Sequence, residues 1–95
     1  MIDITVKEAA CIVGGTLYGE LLADARIKSV VIDSRKAAEG SMFAALKGEK
    51  ADGHEYMGKA FSLGAVCCLA ERVPEGVTGC VILVDDVRTA LKKLA

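Results

Sequence analysis

Residues 33–56 of the chain read DSRKAAEGSMFAALKGEKADGHEY and place many charged side chains around one apolar run, MFAAL. The run is short and uncharged and is soon followed by Gly48, which predicts a buried strand that stops at this glycine. The preceding SRKAAEGS and the following KGEKADG are rich in the residues that form loops. The stretch therefore predicts one strand with a polar loop at each end.

The neighbouring segments predict the rest of a sheet. Upstream, IKSVVID alternates and then becomes β-branched, which predicts a strand ending at Asp33, and TLYGELL predicts a weaker strand or hairpin arm. Downstream, AVCCLA and CVILVDD are short apolar runs, and the second is typical of a sheet that is covered on both faces. With the helices described next, the fold class is α/β, a small mixed β-sheet covered by helices.

The first helix is predicted within ITVKEAACIVGG. Thr5 is the expected N-cap, and Glu8, three residues later, is its expected partner in a capping box. Glycines 14 and 15 would end the helix. Its apolar face would consist of Val6, Ala9, Ala10 and Val13.

Two further helices are predicted. HEYMGKAFSLGA follows Asp52 and would end at Gly64. DVRTALKKLA would begin at an N-cap formed by Asp85 or Asp86, and its lysines lie near the end that favours cations. The apolar face expected of the second helix is Tyr56, Met57, Ala60, Phe61 and Leu63.

Length and charge limit the function classes. Residues 1–95 are expected to form one domain, and we expect a piece of a longer protein because the last helix shows no end signal. Twelve basic and thirteen acidic residues form no long run of one sign, so no nucleic acid or anionic membrane is expected as a partner. The chain has neither a membrane-length apolar run nor a secretory signal pattern, which favours a cytoplasmic location.

The four cysteines are interpreted as small buried hydrophobes rather than as redox or zinc ligands. Cys67 and Cys68 are adjacent, Cys11 and Cys80 lie in apolar runs, and no C-x-x-C spacing occurs.

Candidate ligand-binding residues lie in the two polar loops. Ser34 and Arg35 follow a strand, where α/β sheets bind ligands, and a hydroxyl beside a guanidinium suits carbonyl or phosphate oxygens. The alternative is an ordinary Asp-Ser turn with a solvated arginine. Lys47 could supply a positive charge to a phosphate, and Gly48 could let the backbone approach a flat ligand. The alternative there is a polar loop that ends in an aspartate N-cap.

His54 lies close to Asp52 and Glu55, which raises a metal or acid–base hypothesis. No second histidine and no arranged nucleophile support it. We therefore interpret His54 as a structural residue that hydrogen-bonds across its loop. No phosphate-loop motif, dinucleotide fingerprint or carboxylate pair is present, so neither a catalytic residue nor a metal site is predicted.

Three short motifs occur in a fixed order: D-S-R, G-x-x-F-x-A-x-x-G and D-G-H, followed by a helix that ends in G-A. This arrangement resembles the N-terminal UDP-binding domain of the Mur ligase family. The opening ITVKEAACIVGGTLYGE resembles the branch that adds D-alanyl-D-alanine to a UDP-N-acetylmuramoyl-tripeptide. Two alternatives stay open: the branch that adds diaminopimelate or lysine, and a non-catalytic interaction module that shares the fold.

The resemblance implies a UDP site with three parts. Ser34 and Arg35 would lie near the uridine diphosphate, and the Asp52, Gly53 and His54 turn would shape the pocket. The loop against the nucleotide would comprise Lys47, Gly48, Glu49 and Lys50.

It also implies a parent enzyme that makes peptidoglycan precursors by ATP- and magnesium-dependent amide formation. The central ATPase and C-terminal domains are absent here and would be partners of this one. Alone, the chain is expected to bind the UDP end of the UDP-N-acetylmuramoyl-peptide and to catalyse nothing.

Overall fold

The structure is a computed structural model and describes residues 4–19, 24–48, 52–77 and 79–94. Its strands are β1 (Ile4–Thr5), β2 (Thr16–Tyr18), β3 (Arg26–Ile27), β4 (Ser29–Val31), β5 (Ser41–Ala44), β6 (Cys67–Ala70) and β7 (Val81–Leu83). Its α-helices are α1 (Val6–Val13), α2 (Met57–Ser62) and α3 (Val87–Leu94), and short 3₁₀ helices span Ser34–Lys36 and Gly53–Tyr56.

The main sheet has five strands in the order β2-β7-β6-β5-β4. Four of them run parallel, and β2 pairs antiparallel with β7 at one edge. A separate two-stranded antiparallel sheet joins β1 to β3. The prediction of a small mixed sheet covered by helices is therefore confirmed.

Helices and loops cover both faces of the main sheet. Since successive side chains of a strand point to opposite faces, one strand can contribute to a core on each side. In β5, Met42 belongs to a core that contains buried residues of α1 and α3. Its neighbour Phe43 belongs to a second core, with Met57 and Ala60 of α2. The buried MFAA segment thus contributes to two cores at once.

The first helix agrees with its prediction in detail. The Thr5 hydroxyl accepts from the Glu8 backbone N–H at 3.1 Å, and a Glu8 carboxylate oxygen accepts from the Thr5 backbone N–H at 3.0 Å. The helix ends at Gly14, whose φ of 67° is in the left-handed region that glycine tolerates. The four residues predicted to face the core are its buried residues.

The second helix differs from its prediction in two residues of the apolar face. Met57 and Ala60 are buried and Phe61 is partly buried, but Tyr56 and Leu63 are exposed. The prediction was wrong for these two residues because the segment starts as a 3₁₀ helix and α2 ends at Ser62. Tyr56 and Leu63 therefore lie outside the α-helical span on which a single 3.6-residue face was drawn.

The predictions for α3 and for three of the cysteines are confirmed. Asp86 caps α3 by accepting from the backbone N–H groups of Arg88 and Thr89. Burial raises the pKa of the Cys67 thiol above its usual range and that of Cys68 to about 12, and Cys80 is also buried. Cys11 is exposed on α1, so the prediction of burial was wrong there. Among the described helices, none has the length and apolar character to cross a membrane.

The capping box of α1 gives a test of this local structure. Replacing Thr5 by Ala removes the hydroxyl acceptor and should lower the free energy of unfolding by about 1 kcal/mol. Thr5→Ser keeps the acceptor and should stay close to the parent value. Urea denaturation followed by circular dichroism measures both, and equal losses in the two variants would contradict the capping role.

Candidate functional site

A cleft of about 710 Å³ opens beside the carboxyl ends of β4 and β5. Because these strands pair in parallel, with Val31 opposite Phe43, the loops that follow them leave the same edge of the sheet. Ligands of α/β sheets bind at this kind of edge. The cleft is lined by Ile32, Asp33, Ser34, Arg35, Phe43, Leu46, Gly48, Gly53, Tyr56 and Lys59.

Asp33 and Arg35 form a two-pronged ion pair on one side of the cleft. The Arg35 Nε and Nη2 atoms donate to the two carboxylate oxygens of Asp33 at 3.1 and 2.9 Å. The Arg35 backbone N–H also donates to the Asp33 carboxylate. The side-chain bonds from Arg35, followed by this backbone bond, lower the pKa of Asp33 to about 2. The carboxylate is therefore ionised at neutral pH and partly neutralises the guanidinium.

Ser34 lies between these two charged residues and is buried. Its backbone begins the 3₁₀ helix that Asp33 caps, and its carbonyl accepts from the Ala37 N–H at 3.2 Å. Ser34 is also one of the residues that line the cleft.

The Asp52–His54 turn is held by a buried histidine. The His54 Nε2 atom accepts from the Glu71 backbone N–H at 3.0 Å, directly after β6. Since a nitrogen that accepts cannot carry a proton, the neutral ring has its proton on Nδ1 and donates it to Asp52 Oδ1, 2.6 Å away. His54 is only 3% exposed. The prediction that it bonds across its loop is confirmed, and the bond reaches the end of the next strand.

Asp52 and Glu71 extend this network in two directions. Asp52 accepts from the His54 backbone N–H and from Arg72 Nη2, both at 3.0 Å. The bonds from His54, then the bond from Arg72, hold the pKa of Asp52 well below its usual range. Glu71 Oε2 accepts from the Val87 backbone N–H at the start of α3. The network therefore joins the turn, the end of β6 and the start of α3.

Gly53 brings the turn against the strand that ends in the cleft. Its N–H donates to the Leu46 carbonyl at 2.8 Å, and Lys47 pairs with Asp52 in an isolated antiparallel bridge. A Cβ atom at position 53 would lie 2.8 Å from both the nitrogen and the carbonyl oxygen of Leu46. Such an approach is closer than real Cβ contacts, so glycine is required for this packing.

The structure brings together part of the predicted site. Ser34, Arg35, Gly48 and Gly53 line one cleft, so the two polar loops do share a surface. Three predicted residues lie beside it and not in its lining: Lys47, Asp52 and His54. Glu49 and Lys50 lie outside the described residues.

Six lining residues were missed by the sequence reasoning: Ile32, Asp33, Phe43, Leu46, Tyr56 and Lys59. For two of them a signal was present. The signal is an interval of three residues that joins Gly53, Tyr56 and Lys59. Such spacing places residues on one side of a 3₁₀ helix and of its α-helical continuation, here the side that faces the cleft. The sequence pattern instead predicts Tyr56 on the apolar face of the helix.

Chemically, the cleft can bind and orient a ligand with a flat apolar part and an anionic part. Within residues 4–19, 24–48, 52–77 and 79–94, no cluster of three or more His, Cys, Asp or Glu side chains is placed to hold a metal ion.

Comparison with known proteins points to one family. The model of the Mur ligase family, catalytic domain, matches residues 26–95. The chain is 42% identical over 97 residues to the UDP-N-acetylmuramoyl-tripeptide--D-alanyl-D-alanine ligase of Bacillus subtilis, a match that covers 100% of this chain and 21% of the relative. The crystal structure of MurF from Acinetobacter baumannii matches with a TM-score of 0.87 and 29% identity, over 97% of this chain and 20% of that one.

A second group of relatives matches a smaller part of the chain. The UDP-N-acetylmuramoyl-L-alanyl-D-glutamate--2,6-diaminopimelate ligase of Halalkalibacterium halodurans is 41% identical over 69 residues, which is 73% of this chain and 14% of that protein. The chain thus spans about a fifth, or less, of the length of the curated relatives it matches.

The contact at Gly53 predicts opposite effects of one substitution at two glycines. Gly53→Ala should lower the free energy of unfolding by about 1–3 kcal/mol, because the new methyl group meets the Leu46 backbone. Gly58→Ala is the matched control: its Cβ would meet nothing within 4 Å, and alanine favours the helix by about 0.5–1 kcal/mol. Urea denaturation measures both, and a neutral Gly53→Ala would contradict the required close approach.

The lowered pKa of Asp52 predicts a pH dependence. A carboxyl whose pKa is lower in the folded state stabilises the fold fully above its unfolded pKa of about 3.9, and this contribution is lost as the pH falls through the folded value. Asp52→Asn should therefore be less stable than the parent at pH 7, and the difference should shrink in acid. Denaturation at a series of pH values from about 7 to 2 measures this difference. The pKa of Asp33 is also lowered, but Asp33 is present in both proteins and therefore contributes equally to both curves. Parallel curves would contradict the role given to Asp52.

Proposed function

The chain belongs to the Mur ligase family, and from this premise we propose that its cleft binds the uridine diphosphate end of a UDP-N-acetylmuramoyl-peptide. The observation that carries the proposal is the meeting of the D-S-R residues with Gly48 and Gly53 in one hollow. Its volume of about 710 Å³ is in the range of small-molecule sites.

The apolar part of the cleft supports binding of a flat ring. Among the described residues, five large hydrophobic side chains are exposed, and two of them, Ile32 and Tyr56, line this one cleft. They are 63% and 43% exposed, so both have apolar surface that a ligand could cover. A pyrimidine ring stacked on tyrosine would gain about 1–3 kcal/mol per base, as in aromatic sites for nucleic acid bases.

The polar part supports binding of the diphosphate. Arg35 presents a guanidinium that is 78% exposed at the side chain, Ser34 supplies a hydroxyl, and Lys59 adds an ammonium group. Charged donors of this kind make the stronger hydrogen bonds to phosphate oxygens. The glycines at positions 48 and 53 allow the ligand to approach the backbone.

Within the family, we propose the branch that adds D-alanyl-D-alanine to the UDP-N-acetylmuramoyl-tripeptide. The relative of that branch matches the whole chain, whereas the diaminopimelate-adding relative matches 73% of it. In the parent enzyme, which we place in the cytoplasm and in peptidoglycan precursor synthesis, ATP and magnesium would act in other domains. This chain would orient the substrate and would supply no catalytic group.

The two polar loops could instead dock a protein partner, which is a different class of function. That alternative predicts no response to added nucleotide. In the proposed function, titration of the isotope-labelled chain with UDP shifts the amide signals of the cleft, such as those of Ser34, Gly48, Gly53 and Lys59. Signals of β2, on the opposite edge of the sheet, stay in place. The absence of any shift at millimolar UDP would reject nucleotide binding and favour the protein-docking alternative.

The two tyrosines of the chain allow a matched test of the ring site. Tyr56→Ala should weaken binding of uridine and of UDP by about tenfold, because the exposed aromatic wall of the cleft is lost. Tyr18→Ala removes a tyrosine that is 53% exposed on β2, away from the cleft, and should leave both affinities unchanged. Calorimetric titration measures this, and equal effects of the two substitutions would contradict a stacking role for Tyr56.

A further inference from the structure

The charges around the cleft are not equally available to a ligand. Arg35 and Asp33 form a bidentate ion pair in which opposite charges lie 2.9 Å apart. The fields of two such charges largely cancel at distances that exceed their separation, so the pair adds little net attraction for an anion. Arg35 can still donate hydrogen bonds at close range, but Asp33 lies in the same lining and opposes an approaching phosphate.

Lys59 is the third charged residue in the lining. It lies on the exposed side of α2, and it forms no ion pair with any residue in the part of the chain that the structure describes. With Asp33 and Arg35 summing to zero, Lys59 gives the described lining its net positive charge. A diphosphate group that enters the cleft would therefore meet Lys59 as an uncompensated cation.

Lys47 is the lysine that the resemblance to the family assigns to the nucleotide loop, but its position is different. It follows β5 and pairs through its backbone with Asp52, and it does not line the cleft. Asp52, which lies opposite Lys47 in that bridge, has its side chain bonded to Arg72 and His54.

We propose that Lys59, and not Lys47, holds the diphosphate in this protein and determines the preference of the cleft for UDP over uridine. This inference rests on the proposed function and adds a binding residue to it. In this arrangement Tyr56 contacts the ring, Lys59 supplies the charge, and the Arg35 guanidinium, which Asp33 orients, donates directional hydrogen bonds. One turn of α2 and the 3₁₀ helix before it would then carry both the apolar and the charged contact.

Substitution of the two lysines tests the assignment in the 95-residue chain, with UDP and uridine as probes in calorimetric titrations. Lys59→Gln should weaken UDP binding by about five- to tenfold and leave uridine binding unchanged, because only UDP carries the diphosphate. Lys59→Arg keeps the charge and should retain most of the UDP affinity. Lys47→Gln is the matched control and should remain within about twofold of the parent for both probes.

Salt provides a second measurement. Raising the ionic strength from about 0.05 to 0.5 M should weaken UDP binding to the parent chain more than UDP binding to Lys59→Gln, since the screened charge is missing in the variant. Because Lys59 is exposed, urea denaturation should show equal stability for the parent and the variants, which excludes unfolding as the cause.

The outcomes separate the two proposals. If the parent chain binds no UDP, the proposed function fails. If the parent binds UDP but Lys59→Gln binds it equally well, or Lys47→Gln loses as much affinity, the assignment to Lys59 is overturned while nucleotide binding stands. A loss of uridine and UDP affinity by the same factor in Lys59→Gln would also overturn it, because the residue would then act on the ring part.

Discussion

The parallel pairing of β4 with β5 is the constraint on which the site depends. Ser29 lies opposite Ser41 and Val31 opposite Phe43, so the chain leaves both strands at the same edge. The connection between them, residues 32–40, contains a 3₁₀ helix and returns the chain to the start of β5. An antiparallel pairing would have placed the D-S-R residues and the loop after β5 at opposite ends of the sheet. The cleft exists because the two carboxyl ends coincide.

A second set of contacts keeps the wall of that cleft in place. The backbone bond from Gly53 to Leu46 and the histidine that links Asp52 to Glu71 fasten the turn to the ends of β5 and β6. These groups have their hydrogen bonds within the protein, so they serve as support. The residues left to meet a ligand are the ones that line the hollow, among them Tyr56 and Lys59. Motif residues therefore divide into those that hold the cleft in place and those that line it.

Much of the fold was predictable because its signals are local. The capping box of Thr5 and Glu8 and the left-handed Gly14 act within a few residues of one another, and both appear where the pattern placed them. The single strand predicted to end at Asp33 was wrong in its bounds: the segment forms β3 and β4, which lie in different sheets, and β4 ends at Val31. The errors at Tyr56 and Leu63 have a common cause. Their exposure depends on where the 3₁₀ helix changes into α2, which no local pattern records. Cys11 differs, because the predicted apolar face of α1 already leaves it out, so the helical period alone places it away from the core.

The sequence by itself determined the α/β class, the approximate positions of the helices and of the main-sheet strands, and the two loops that carry the candidate site, since hydrophobic period, caps and glycines act at short range. The small sheet of β1 and β3 left no such signal. Only the tertiary structure decided which polar residues face the cleft. It directed His54 into a buried hydrogen-bond network, joined Arg35 to Asp33, and placed Lys59 in the lining instead of Lys47. The physical reason is that a side chain's role depends on its neighbours across the sheet, and strand pairing brings those neighbours together from distant parts of the chain.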